Sequence, residues 1–320
     1  MHSHHATGRQ QNERSATYLV TGGAGFIGSH LVDALLAAGH RVLVLDDLSV
    51  GKRSNVDAKA QLVEGSVCDE PLVRKLLAQV DGCFHLAALS STVLSHQQWL
   101  YAHRVNVTGT ITVLECARAS KERAAIPVVY TSSAAVYGDN PDSPLPEQTE
   151  LRPFSAYGAD KLGSELHARV AGVVHGVPTL GLRLFNVFGP RQDPTSPYSG
   201  VISHFLLRAQ RGEELLIHGD GQQVRDFIHV SDVIRFFLVA IQQVSPEGKV
   251  YNVCSGHGTT ILDLAKRIIR LTGNRSAIRH DTARVGDIRL SVGDPRQAAQ
   301  ALAITTTKTL EDGLIGMIDT

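Results

Sequence analysis

At 320 residues the chain can hold one large domain or two modest ones, and it buries enough surface to need no covalent staples. Basic and acidic residues balance at 31 each, which argues against a nucleic-acid or membrane-surface protein. The cysteines, Cys68, Cys83, Cys116 and Cys254, form no CxxC pair and read as reduced thiols of a cytoplasmic protein; no membrane-length apolar run or signal-peptide core is visible.

Residues 1–15, with the histidine-rich start Met1 to His5, read as a tag or a disordered tail. The later histidines lack ligand spacing, so no metal site is expected. The first element is the apolar run Tyr18-Leu19-Val20-Thr21. Gly22, Gly25 and Gly28 follow at spacing three, with Phe26 and Ile27 between them. Leu31, Val32, Leu35 and Leu36 then recur at helical spacing until Gly39. This is strand, tight turn and helix. Glycine permits the turn, and the helix N-terminus offers unpaired N–H groups to a pyrophosphate. A second strand, Arg41 to Leu45, ends at Asp46, an acid placed to bind both hydroxyls of an adenosine ribose and to repel a 2′-phosphate. That favours NAD over NADP.

Asp47-Leu48-Ser49-Val50-Gly51-Lys52 is turn-like and would wrap the adenosine. A third strand at Gln61–Val63 leads to Gly65 through Val67, an edge for the adenine pocket, and a helix follows over 70–79. The next strand runs through Cys83-Phe84-His85-Leu86 into Ala87 and Ala88, small residues that let backbone approach a ligand. A helical segment is expected over 97–119. It carries Asn106, which either reaches the nicotinamide side or faces solvent. The fifth strand, Pro127 to Thr131, ends in Ser132-Ser133-Ala134-Ala135, and a proline-rich loop follows. Ser155 opens a helix to His175 that places Tyr157 and Lys161 on one face. A sixth strand spans Pro178 to Phe185. Strand and helix alternate throughout, so an α/β, doubly wound parallel sheet is expected over 16–184. Beyond Phe185 the elements shorten into a smaller α/β unit over 185–320, with part of 228–255 free to return to the first unit.

A Tyr-x-x-x-Lys pair gains meaning when a serine ends the preceding strand and a dinucleotide loop lies upstream. Taking the proton of a secondary alcohol as hydride leaves its carbon needs a base near neutral pH, and free tyrosine titrates near 10. The Lys161 ammonium and a positive nicotinamide both favour the Tyr157 phenolate, and Ser133 can hydrogen-bond the same substrate oxygen.

The chain resembles an extended short-chain dehydrogenase/reductase of the nucleotide-sugar 4-epimerase type, from about Thr17 onward. The resemblance rests on the glycine loop, Asp46-Asp47-Leu48-Ser49, His85-Leu86-Ala87-Ala88, Asn106-Val107-Thr108-Gly109, Ser132 to Gly138, Tyr157 with Lys161, Arg183 to Arg191, and Gly219 to Val230. It implies a Rossmann-type fold, Ser133, Tyr157 and Lys161 as catalytic residues, and tightly bound NAD contacted by the segments named above, Gly51 and Val67 included. It also implies Asn186, Arg225 and Arg284 around the diphosphate and sugar, and a homodimer. Gly65-Ser66 departs from the family's usual Gly-Asp.

Family members that dehydrate or decarboxylate carry an acid just after the catalytic serine or threonine. Ala134 and Ala135 stand there, which favours plain epimerisation. Ser291 occupies the position where glucose/galactose-restricted epimerases carry a tyrosine, and with Ser91 it leaves room for an N-acetyl group. The expectation is a UDP-N-acetylglucosamine/UDP-N-acetylgalactosamine 4-epimerase that also takes UDP-glucose and UDP-galactose. A UDP-glucuronate or other UDP-sugar epimerase, and a non-catalytic NAD-sensing regulator, stay open as alternatives.

Overall fold

The computed structural model describes residues 15–90, 95, 97–194, 200–284 and 286–319. The tail before residue 15 and Ser91 lie outside the described residues. The strands in chain order are β1 (Thr17–Thr21), β2 (Arg41–Asp46), β3 (Gln61–Glu64), β4 (Gly82–His85), β5 (Val128–Ser133) and β6 (Thr179–Leu184). They continue as β7 (Asn186–Phe188), β8 (Leu215–His218), β9 (Val224–His229), β10 (Lys249–Val253), β11 (Gly258–Thr260), β12 (Ile278–Asp281) and β13 (Leu290–Ser291).

A seven-stranded sheet runs in the order β10-β6-β5-β4-β1-β2-β3, and every pairing within it is parallel. Its strands are apolar on both faces, as a sheet covered by helices on both sides requires. In β1 and β2, Tyr18, Val20, Val42 and Val44 point to one face. There they meet Leu31, Val32 and Leu35 of the Phe26–Ala37 helix and Val233 and Phe237 of the Val230–Ala240 helix. Leu19, Leu43 and Leu45 point to the other face. There they join Val73, Leu76 and Leu77 of the Glu70–Leu77 helix, Val113 and Leu114 of the Gly109–Cys116 helix, and Ala168 of the Ala156–His175 helix.

The helical segment expected over 97–119 is broken. Trp99–His103 and Gly109–Cys116 are α-helical, and Arg104–Thr108 between them forms a π-helical turn. Beyond β6, β9 lies between β11 and β13 and also pairs with β7, while β12 pairs with β8. A separate core of Phe188, Phe205, Phe227, Leu264 and Leu314 holds these strands to the Val201–Gln210, Ile261–Thr272 and Leu310–Ile318 helices. β10, inside the 228–255 stretch left free to return to the first unit, closes the edge of the large sheet beside β6. All four cysteines are free thiols; Cys68 is half-buried and the other three are buried.

Candidate active site

The carboxyl ends of β1, β2, β4, β5 and β6 converge on one crevice of about 620 Å³, where ligands of open parallel sheets bind. Its floor is the glycine turn. Gly22 adopts φ 70° and donates its N–H to the Leu45 carbonyl at 2.8 Å. A Cβ on Gly22 would lie 2.8 Å from the Ala87 nitrogen. A Cβ on Gly28 would lie 2.1 Å from the Gly22 carbonyl oxygen, so the helix starts pressed against the turn. The Asp46 carboxylate ties the turn to the next loop by accepting the Ala24 and Leu48 N–H groups, each at 2.9 Å. Burial raises the Asp46 pKa, and these two donors oppose the shift.

Behind the β4 wall lies a chain of buried groups. Leu86 and Ala87 both donate their N–H to Thr21 Oγ1 at 3.2 Å. With both lone pairs engaged, the Thr21 hydroxyl hydrogen goes to His85 Nδ1 at 2.8 Å. His85 Nε2–H then donates to Thr110 Oγ1 at 3.0 Å, and Thr110 donates to the Asn106 carbonyl at 2.6 Å. One neutral tautomer satisfies every group. Burial, with the Lys161 charge adding, holds the His85 pKa down to about 3.

At the other end of the crevice β5 delivers Ser133, whose Oγ accepts the Ala135 N–H at 3.1 Å and which lies near enough to the Tyr157 hydroxyl to favour its phenolate. Ser155 caps the Ala156–His175 helix by accepting the Gly158 N–H at 3.0 Å, which aims Tyr157 and Lys161 into the crevice from successive turns. Lys161 Nζ donates to the Thr131 carbonyl at 2.9 Å and to Thr131 Oγ1 at 3.2 Å. It stands 5.8 Å from the centre of the Tyr157 ring. Burial lowers the Lys161 pKa to about 8, opposed by the Asp160 and Glu165 charges. Burial pushes the Tyr157 phenol up to about 12, and the nearby Ser133 hydroxyl only partly opposes it. Lysine proximity therefore does not by itself lower the tyrosine, because desolvation is larger.

Of the residues read from sequence as cofactor contacts, Gly22, Gly25, Phe26, Ile27, Gly28, Asp46, Asp47, Ser49, Gly51, Val67, Leu86, Ala87, Ala88, Tyr157 and Lys161 line this crevice. Leu48 and Asn106 are not among its lining. Leu48 sits at φ 56° with its N–H on Asp46. The Asn106 amide is spent on both backbone groups of Leu89, at 2.8 and 3.3 Å, so it holds the wall from behind. Ser66, at the Gly65-Ser66 departure, accepts the Cys68 N–H at 3.2 Å.

Among the sugar-side residues, Ser133 and Asn186 line the crevice, whereas Arg225, Arg284 and Ser291 do not. Arg225 lies on β9 with its guanidinium 2.5 Å from Asp287. Ser291 is the register partner of Arg225 on β13 and is buried. Arg284 is exposed and lies close enough to His204 to help burial lower that imidazole's pKa. Sequence reasoning missed the rim. Lys52 pairs with Asp193 at 2.5 Å, Arg191 with Asp33 at 2.6 Å, and His30 bonds the Pro190 carbonyl at 2.9 Å. These contacts join residues more than a hundred positions apart, so no local pattern announces them. The glycine cradle, the acid at the end of β2 and a crevice of this size fit a dinucleotide.

Comparison with known proteins agrees with that geometry. The family model described as the NAD dependent epimerase/dehydratase family matches residues 18–254. A UDP-glucose 4-epimerase of Mycolicibacterium smegmatis is 35% identical over 94% of this chain and 97% of its own length. The crystal structure of UDP-glucose 4-epimerase with UDP-glucose from Thermotoga maritima superposes with TM-score 0.90 at 35% identity, covering 95% of this chain and 97% of that one. A UDP-N-acetylglucosamine 4-epimerase from Methanobrevibacter ruminantium, in complex with UDP-N-acetylmuramic acid, gives TM-score 0.89 at 32% identity over 95% and 97%. With its dinucleotide cradle and its serine, tyrosine and lysine around one crevice, the chain belongs to the NAD dependent epimerase/dehydratase family, on the extended short-chain dehydrogenase/reductase fold.

Proposed function

We propose that the protein is a UDP-sugar 4-epimerase acting on UDP-N-acetylglucosamine and UDP-N-acetylgalactosamine, and on UDP-glucose and UDP-galactose. The observation that carries this is the meeting of Ser133, Tyr157 and Lys161 in the crevice, with Ala134 and Ala135 where a further acid would have to stand. The glycine turn and the helix beginning at Phe26 hold the dinucleotide's diphosphate, Asp46 its adenosine ribose, and Val67 its adenine edge. When bound, NAD would supply the hydride acceptor and donor for one sugar carbon, and its positive ring would add to Lys161 in favouring the phenolate.

Tyr157 takes the proton from the sugar hydroxyl and gives it back after the sugar has turned. Ser133 donates to the same oxygen and steadies its charge. Lys161, anchored on Thr131, supplies a cation and a donor for the ribose next to the reacting centre. Asn186, Arg225 and Arg284 serve the diphosphate and sugar, with residues 185–320 as the sugar-binding unit and 16–184 as the nucleotide-binding one. Ser291 leaves space beside carbon 2 of the sugar.

A homodimer is part of this reading. Leu166, Val170, Val173 and Val174 are exposed along one stripe of the Ala156–His175 helix, a spacing that suits packing against a second copy of the helix.

The purified protein, incubated with a panel of UDP-sugars without added NAD, should interconvert the 4-epimers by NMR. Turnover confined to UDP-glucuronate moves the assignment to that substrate, a reading supported by the 34% identity to MoeE5 in complex with UDP-glucuronic acid and NAD. Tyr157→Phe should lower kcat by about 10²–10⁴-fold while bound NAD persists; full activity refutes the mechanism. Ser291→Tyr should remove N-acetylhexosamine turnover and spare UDP-glucose.

A further inference from the structure

One neighbour of β5 stops short of it. The β4–β5 pairing ends where Tyr130 meets His85, while the β5–β6 pairing continues to Ser133. Just before β5, the Pro127 carbonyl accepts the Cys83 N–H of β4 at 2.9 Å. Strand backbone alternates every two residues, so the Thr131 carbonyl turns to that same side, past the end of β4. Leu86, the residue after β4, donates its N–H to Thr21 of β1 instead. A carbonyl that has outrun its ladder has to be met from elsewhere.

Lys161 meets it. From the Ala156–His175 helix, Nζ donates to the Thr131 carbonyl at 2.9 Å and to Oγ1 of the same residue at 3.2 Å. Lys161 is buried, and among the described residues its Nζ has no other hydrogen-bond acceptor. An ammonium carries three N–H donors. Two end on Thr131, so one is left, and its direction is set by the other two. The carbonyl alone would not set it, because one hydrogen bond lets the group swing and the four-carbon lysine stem is flexible. The contact to Oγ1 removes that freedom. Thr131 and Ser133, two apart on β5, both line the crevice, as alternate residues of one strand face do. The residue that holds the lysine and the serine near the Tyr157 hydroxyl therefore come off the same stretch of strand.

We propose that Thr131 is a positioning residue for the reaction: its hydroxyl, acting with its own carbonyl, fixes the Lys161 ammonium in one orientation in the crevice. This rests on the reading of Lys161 as a catalytic cation. The two oxygens have separable parts in it. Substitution can take Oγ1 away, but it leaves the carbonyl in place, so the effect of the second contact can be measured by itself.

Thr131→Val removes Oγ1 and keeps a β-branched residue on the strand. In protein carrying lysine labelled with ¹⁵N at Nζ, the Lys161 signal is assigned by its loss in Lys161→Arg. That signal should shift in Thr131→Val, and its hydrogens should exchange faster with water. With UDP-sugar, kcat should fall about tenfold or more at little-changed KM, the size of a lost hydrogen bond to a charged group. Thr131→Ser, which keeps a hydroxyl at the γ position, should recover most of both effects. Thr131→Ala replaces the Val variant if that one fails to fold. An unmoved Lys161 signal overturns the proposal. So does a moved signal with unchanged kcat, or a loss of kcat that Thr131→Ser does not recover. Failure of the catalytic reading is distinguishable: Lys161→Met would then keep its turnover, whereas it loses turnover if only the part given to Thr131 is wrong.

Discussion

Gly28→Ala tests the cradle where its geometry is tightest. The added methyl carbon would sit 2.1 Å from the Gly22 carbonyl oxygen, 2.8 Å from the Gly23 Cα and 2.9 Å from the Gly22 carbonyl carbon. All three are backbone atoms, so no side chain can swing away. Roughly 1 Å of separation must come from sliding the Phe26–Ala37 helix off the turn. Overpacking of this kind costs about 1–3 kcal/mol, which lowers Tm by several degrees for a chain of this size. The same slide spoils the N–H cradle. Gly25→Ala is the control. Its methyl would lie 3.2 Å from the same oxygen, and Gly25 has φ −77° and ψ 179°, which alanine adopts freely. That variant should melt within about 0.5 kcal/mol of the parent protein, yet lose NAD because the methyl enters the crevice. Thermal unfolding by circular dichroism, with NAD released by denaturation and quantified, separates the two effects. A Gly28→Ala protein with unchanged Tm and full NAD content refutes the packing argument. So does a Gly25→Ala protein that fails to fold.

Two further outcomes follow from buried groups. His85 has a native pKa near 3 against 6.5 for an ordinary imidazole. The unfolded chain therefore binds a proton that the folded one refuses, and stability present above pH 6.5 is lost as pH falls toward 3, at up to about 1.4 kcal/mol per unit. Urea unfolding across that range should show a shallower pH slope in His85→Gln, and an identical slope would exclude the neutral tautomer. Arg183 and Glu165 form a buried pair, 6% and 7% exposed. Arg183→Met strands the carboxylate and should cost about 3–5 kcal/mol by urea unfolding, most of it recovered by adding Glu165→Leu. No recovery would mean that the pair is not what holds this region.

The parts legible in the sequence are those encoded locally. Gly22, Gly25 and Gly28 sit within one turn of one another, and Tyr157 and Lys161 lie one helical turn apart, so spacing alone exposes them. Strand alternation gave the parallel sheet because each strand carries its apolar residues in a short run. What stayed hidden depends on long-range pairing. The return of a segment within 228–255 was legible, but not which strand it would pair with: β10 joins β6 from about seventy residues away, and the two-residue strand β13 exists only because β9 lies beside it. Asn106 illustrates the remaining gap. Its amide could have reached the crevice or solvent, and only the fold brings Leu89 within reach to claim it. The upward push on the Tyr157 phenol has a related reason: charge neighbours are readable from spacing, but burial is not.

The contacts across the rim also respond to salt. Lys52 with Asp193, Arg191 with Asp33 and His30 with the Pro190 carbonyl fasten the segment after β7 to the loop after β2 and to the first helix. An exposed ion pair is individually weak, worth up to about 1 kcal/mol, and here two of them and one hydrogen bond act on the same short segment. The arrangement makes salt a lever on this rim: ions screen the two charged clasps and loosen the join between the segment after β7 and the first helix and loop.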